Sequence, residues 1–270
     1  MQGRVQPCNG QKANGSEEVG RLMCDHGKVD FCGWKGWSKV PTPLAGGGSG
    51  PWIDLTHRLT EELSRASIFP QPRIRQIVKM PESPLNITEI HMVAHHGTHV
   101  DAPHHFLSDG PCFDEIPLDR LYGPGVVWRI EKGPLELIEP ADFEAARPLV
   151  QPGDIVLLDT GWAQHVNTAY YEDHPSLSAA AAQWLVDHGV KLLGVDFSTP
   201  DLTIHKRPAD FDWPVHHILL AHGVLVAEHV TNLRALANQR AEILFLALPL
   251  AGSDGAPARA LARPFAAAEA

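Results

Sequence analysis

Apolar residues in this chain come mostly in short unbroken runs rather than in long alternating stretches. Asp154-Ile155-Val156-Leu157-Leu158-Asp159 is one, bounded by Pro152-Gly153 before it and Gly161 after it. A run of that length between turn formers predicts a strand buried on both faces. Val190 to Asp196 reads the same way, and Val224 to Glu228 and Ile243 to Leu248 predict further strands. Trp52 to Thr56 and Gly125 to Ile130 add two short ones, and Leu85 to His95 alternates in places through Ile87, Ile90 and Met92. Helical patterning is rarer. Ser178 to His188 predicts a helix, with Ser178 as N-cap, an alanine run behind it and Gly189 just past its end. Asp142 to Ala146 predicts a short helix opened by Asp142, and Val215 to Ala221 another that Gly223 ends. Short strands alternating with few helices place the chain in the α/β class, with a mixed β-sheet core and flanking helices.

Residues 1–50 break this pattern. They are rich in Gly, Lys and Asn and end in Pro41-Thr42-Pro43-Leu44-Ala45-Gly46-Gly47-Gly48-Ser49-Gly50, which reads as a linker. Phe31 to Trp37 nevertheless carries two tryptophans, which predicts that part of this irregular extension docks on the body or on a neighbouring subunit. Cys24, His26 and Cys32 are close enough for a small zinc site, although their spacing fits no standard knuckle; reduced thiols in an irregular arm are the plainer reading. No further linker interrupts residues 51–270, so one domain is expected there.

Composition narrows the function classes. The 270 residues are 44% apolar, normal for a chain with a core. A net charge of -10, with no Lys/Arg run, argues against a nucleic-acid partner. No apolar stretch reaches the roughly 18–20 residues of a membrane span, and the N-terminus lacks a signal pattern, so a soluble cytoplasmic protein is the expectation. Four cysteines are too few and too scattered for a disulfide framework. Neither GxGxxG nor GxxxxGK[ST] occurs.

Candidate chemistry concentrates in one segment. Six of the sixteen histidines lie between His91 and His105, with Asp101 among them. Imidazole and carboxylate together are ligands for zinc, manganese or iron, and also supply proton-transfer groups. In an extended segment His99 and Asp101 share a face, and Gly97 permits the turn that would swing His95 to the same point. Three ligands can thus converge and leave an open position for water, with His104 and His105 just beyond. A second ligand-rich segment, Trp213 to His217 followed by Glu228-His229, lies far away in sequence.

The run His95-His96-Gly97-Thr98-His99-Val100-Asp101-Ala102-Pro103-His104-His105-Phe106 resembles the HxGTHxDxPxH signature of the cyclase-like metal-dependent hydrolases, the family of bacterial kynurenine formamidases and isatin hydrolases. Asp54-Leu55-Thr56-His57, Leu157 to Trp162, Leu193 to Asp196, and His216 to Leu233 resemble further family segments in family order, from about Trp52 to the C-terminus. The resemblance implies a swivelling β/β/α fold and a site with assigned roles. His95, His99 and Asp101 would hold a first metal ion. Asp101 would bridge to a second ion held by His216 and Glu228, with one or two ions per chain and zinc or manganese as the metal. His217 competes with His216, and family spacing favours His216. His105 matches the general acid/base. Trp162, Phe106 and Phe69 are candidates for an aromatic substrate pocket. The resemblance further implies a small-molecule substrate and a homodimer or homotetramer. Gly252-Ser253-Asp254-Gly255-Ala256-Pro257 resembles a family loop and reads first as a turn, second as a site edge.

The expected activity is hydrolysis of an amide C–N bond, in an aryl formamide such as N-formylkynurenine or a cyclic amide such as isatin. A lactone or ester hydrolase, or a dehydratase or cyclase, could use the same metal water. A metal-binding protein without catalysis is a further alternative, which the presence of His105 beside an open metal position opposes. Asp196 could orient a ligand histidine or cap a loop, and His96 and His104 are expected to support the ligands or line the site.

Overall fold

The computed structural model describes residues 33–39 and 50–265. In chain order the strands are β1 Ile53–Asp54, β2 Arg73–Val78, β3 Ile87–His91, β4 His99–Asp101, β5 Tyr122–Arg129, β6 Leu137–Ile138, β7 Ile155–Asp159, β8 Ser176–Leu177, β9 Leu192–Val195, β10 Leu225–Glu228, β11 Gln239–Ala247 and β12 Gly255–Pro264. The helices are α1 Pro140–Ala145, α2 Ala179–Asp187 and α3 Pro214–Ala221. One mixed sheet runs β1-β12-β11-β5-β7-β9-β10-β4, and β4 pairs back onto β12. Strands β5, β7, β9 and β10 are parallel neighbours, whereas β4, β11 and β12 join antiparallel. The pairing of β4 with both β10 and β12 closes the sheet into a ring, leaving no edge beside β4.

Two cores follow from the alternation of side chains along these strands. Val156 and Leu158 of β7 face outward with Trp128, Val195 and Val226 against α2 and α3. Ile155 and Leu157 face inward with Leu192, Leu225, Ile243, Phe245 and the alanines of β12. The all-apolar reading of β7, β9 and β10 is therefore explained by burial on both faces. Ser178 caps α2 by accepting the Ala181 N–H at 3.0 Å, and Gly189 follows the helix with φ of 69°.

Several boundaries differ from the sequence expectation. Helix α1 begins at Pro140, with Glu139 as N-cap; Asp142 sits one turn inside, where its carboxylate accepts the Glu139 N–H at 2.7 Å. The stretch read as a strand over Leu85 to His95 is strand only at Ile87–His91, paired with β2 in an exposed two-stranded ribbon. Strand β12 was not expected, because Gly-Ala-Pro-Ala-Arg-Ala-Leu-Ala-Arg-Pro has weak intrinsic β preference and is held by its neighbours. The extension docks on the body through residues 33–39. The Lys35 N–H donates to the Ala221 carbonyl at the end of α3 at 2.8 Å, Trp37 lies 4.9 Å beneath the Arg120 guanidinium, and Asp109 accepts from the Trp34 N–H at 3.1 Å. Cys24, His26 and Cys32 fall outside the described residues.

Candidate metal centre and its cavity

Strand β4 presents His99 and Asp101 on one face, two residues apart. Its antiparallel partner β10 sets Glu228 opposite His99 in register. Gly97, with φ of 69°, makes the turn before β4; a Cβ there would lie 2.6 Å from Leu59 Cδ2. That turn returns His95 over Asp101. After β4, Pro103 starts a single 3₁₀ turn, Pro103–His105, that delivers His105. His216 comes from the first turn of α3.

The distances are short. His95 Nδ1 donates to Asp101 Oδ1 at 2.7 Å. His99 Nε2 lies 3.2 Å from Asp101 Oδ1 and 3.5 Å from Glu228 Oε2. His216 Nε2 lies 3.3 Å from Glu228 Oε1 and 3.5 Å from Asp101 Oδ2. Three sets bring their ligand atoms within 4.8 Å of one another: His95, His99 and Asp101; Asp101, His216 and Glu228; and His95, His105 and Asp254. His99 Nε2 and Asp101 Oδ2 are buried and have no hydrogen-bond partner. Orphaned polar atoms of this kind are costly, and a cation satisfies both.

The outer nitrogens explain why the inner ones point inward. The His99 Nδ1–H donates to the Gly97 carbonyl at 2.7 Å, which fixes Nε2 toward the carboxylates. Asp201 accepts from His216 Nδ1 at 2.6 Å, and the same carboxylate caps α3 by accepting the Val215 and His216 N–H groups at 3.0 and 3.1 Å. Burial opposes charge on His95, but Asp101 and Asp254 outweigh it and raise its pKa to about 10. His216 is likewise raised well above the usual range, burial being overcome by Asp101, Asp201 and Glu228. Asp101 is fully buried, yet His99, His216 and His95 hold it well below the ordinary carboxylate range. Protons on two imidazoles thus compensate the carboxylates, and a divalent cation meets the same demand. Nitrogen and oxygen ligands in this mixture suit a divalent metal ion.

His105 stacks on His95 with ring centres 4.0 Å apart. Its Nδ1–H donates to Asp254 Oδ2 at 3.2 Å, and the same oxygen receives His95 Nε2 at 2.9 Å. Burial lowers the His105 pKa against the opposing pull of Asp254. These groups open into a cavity of about 300 Å³ whose wall includes Phe69, Phe106, Ile204, Arg207, Trp213, His216, Glu228 and His229. Phe106 stacks on His216 at 4.6 Å.

Phe69 and Phe106 lie on the cavity wall. Trp162 does not. It is buried in the outer core, where its indole N–H donates to the Tyr171 carbonyl at 2.9 Å. His217 is separate from the cluster, held at the Asp212 and Trp213 carbonyls. Asp196 caps the Thr160–Trp162 loop through the Thr160 hydroxyl and the Trp162 N–H rather than orienting a ligand histidine. Neither His96 nor His104 lines the cavity; His96 is buried and its Nε2–H donates to the Thr60 carbonyl at 3.1 Å.

Asp201 was missed, because it lies in a segment with no pattern. Asp254 sits in the loop that resembles a family loop and read first as a turn and second as a site edge; it stands at the site. His229, named with Glu228 in the second ligand-rich segment, is in none of the three ligand sets; it adopts φ of 54°, and its Nδ1 accepts from the buried Tyr171 hydroxyl at 2.9 Å.

Residues 53–202 match the family described as putative cyclase. The kynurenine formamidase of Bacillus cereus is 32% identical over 215 residues, covering 79% of this chain and 97% of that protein. The kynurenine formamidase of Bordetella petrii is 31% identical over 188 residues, covering 68% and 83%. In fold, the chain is similar to isatin hydrolase A from Labrenzia aggregata, with a TM-score of 0.71 and 24% identity over 78% of this chain and 93% of that one. Among the described residues no helix is long and apolar enough to cross a membrane. The chain belongs to the putative cyclase family, the cyclase-like metal-dependent hydrolases.

Proposed function

We propose that the protein is a metal-dependent hydrolase of non-peptide amide C–N bonds, with an aryl formamide such as N-formylkynurenine or a cyclic amide such as isatin as substrate. The observation that carries this reading is the buried His95, His99, Asp101, His216 and Glu228 cluster, with two orphaned polar atoms, at the end of an aromatic-walled cavity. The names of the relatives support the same chemistry.

His95, His99 and Asp101 would hold one divalent ion, and Asp101, His216 and Glu228 could hold a second. When bound, zinc or manganese supplies a Lewis acid and brings the pKa of water toward about 7. The remaining work falls to the chain. Asp254 takes the Nδ1–H of His105, so His105 Nε2 carries the free lone pair and can accept a proton from water and return it to the leaving nitrogen. Asp201 locks His216 in place. Phe69, Phe106 and Trp213 hold an aromatic ring and exclude water from the reacting carbonyl.

The test is to measure metal per chain and hydrolysis of N-formylkynurenine, formanilide and isatin, for wild type, Glu228→Ala and His105→Ala. The reading expects bound metal in wild type, less metal in Glu228→Ala, and a His105→Ala protein that keeps metal but loses turnover. A wild type that retains no metal after reconstitution would overturn it.

A further inference from the structure

A 3₁₀ turn at Ile204–Lys206 ends on Arg207, whose N–H donates to the Ile204 carbonyl at 3.2 Å. Arg207 is the only lysine or arginine on the wall of the cavity among the described residues. Its guanidinium lies 5.1 Å from the ring centre of Phe211 and 5.1 Å from that of Trp213, and Trp213 is itself part of the cavity wall. Its Nε donates to the Leu202 carbonyl at 2.6 Å. The rings and this hydrogen bond fix the orientation of the planar group, and its two terminal nitrogens make no hydrogen bond to the described residues.

No carboxylate among the described residues lies within ion-pair distance of Arg207, although the side chain is half-buried. The acids whose field it feels are Asp201, Glu228 and Glu172; Asp201 and Glu228 are engaged elsewhere, and Glu172 makes no ion pair with it. Asp201 is committed to His216 and the start of α3, and Glu228 to His99 and His216. A positioned guanidinium with free forked donors, on a cavity wall whose one carboxylate, Glu228, faces His99 and His216, is matched to a planar anion.

We propose that Arg207 is a specificity-determining residue that receives a carboxylate carried on the aromatic part of the substrate. The cavity then favours acidic aryl amides over neutral ones of the same size. The substrate class rests on the amide-hydrolysis reading, whereas the preference for an acidic aromatic ligand stands on the cavity alone.

Binding separates the two. Anthranilate and its neutral analogue 2-aminobenzamide are titrated calorimetrically into wild type, Arg207→Gln and Arg207→Lys, each chelator-treated and metal-reconstituted. Wild type is expected to bind anthranilate at least about tenfold more tightly than the amide, the worth of a charge-assisted hydrogen-bond pair. That advantage should vanish in Arg207→Gln, which keeps a donor and much of the side-chain length, and persist in part in Arg207→Lys, in both metal states. An anthranilate advantage that survives Arg207→Gln, one that exists only in reconstituted protein, or no advantage in folded wild type overturns the proposal. Turnover of N-formylanthranilate against formanilide is the separate check on the reaction. If neither is hydrolysed while the binding preference holds, amide hydrolysis fails and the role of Arg207 stands.

Discussion

Two sets of buried carboxylates sit on the same sheet and are treated in opposite ways. Asp154 and Asp159 flank β7 and are matched by arginine. Asp154 receives Arg240 in a bidentate pair at 2.7 and 3.0 Å, plus the Gln151 N–H at 2.7 Å. Asp159 receives Arg234 at 2.6 Å and the Gly161 N–H at 3.1 Å. Asp101 and Glu228, on β4 and β10, face imidazoles, and Asp101 Oδ2 has no hydrogen bond. Guanidinium cannot give up its charge, so the first set is permanently neutralised within the chain. Imidazole can exchange its proton for a metal ion, so the second set is neutralised conditionally. Satisfied carboxylates stabilise the fold; conditionally satisfied ones mark the site.

The largest expected effect comes from exchanging a carboxylate for an amide in each set. Asp101→Asn should lower metal per chain and reduce turnover by about 10³-fold or more, a loss of about 4 kcal/mol in transition-state stabilisation. Asp159→Asn should leave metal content unchanged, as read by elemental analysis. Equal metal loss in both would erase the contrast. Next, Asp154→Ala leaves Arg240 without its buried partner and should lower the unfolding free energy by about 3 kcal/mol in urea titration, with turnover per folded molecule within about twofold of wild type. Asp201→Asn lies between the two sets, since it caps α3 and also holds His216. A loss of about 10–100-fold in metal affinity, measured by chelator competition, is expected for a group that orients a ligand.

The smallest effect sharpens the comparison with a buried imidazole that has no carboxylate on its ring. His174 stacks on Phe197 at 5.2 Å, its Nδ1–H donates to the Pro175 carbonyl, and burial pushes its pKa down to about 4. The folded state holds it neutral while the unfolded chain binds a proton below about pH 6.5. Stability is therefore lost as pH falls from about 6.5 toward 4, by about 2 kcal/mol at pH 5. His174→Gln should flatten the change in unfolding free energy between pH 7 and pH 5 by that amount. An unchanged slope would mean that His174 is not buried neutral.

How much was legible without the fold depended on locality. His95, His99 and Asp101 could be read together because a turn at Gly97 and a two-residue strand spacing are local properties of one segment. The buried strands β7, β9 and β10 were legible because burial on both faces demands continuous apolar runs. Strand β12 and the ribbon partner β2 were not, since pairing rather than composition holds them in place. Trp162 shows the limit of reading residue type. As an aromatic it was a candidate for the pocket wall, but it lies in the outer core with its indole N–H held by the Tyr171 carbonyl.

By itself, then, the order of residues determined which segments carry candidate ligands and which strands are buried. Only the tertiary structure decided that Glu228 lies in register with His99, that Asp201 aims His216, that Asp254 joins His95 to His105, and that Arg207 reaches the cavity wall. The reason is physical. A local spacing is set by backbone geometry a few residues long, whereas a contact across 100 residues is set by closure of the sheet and packing of its cores, which no single segment encodes.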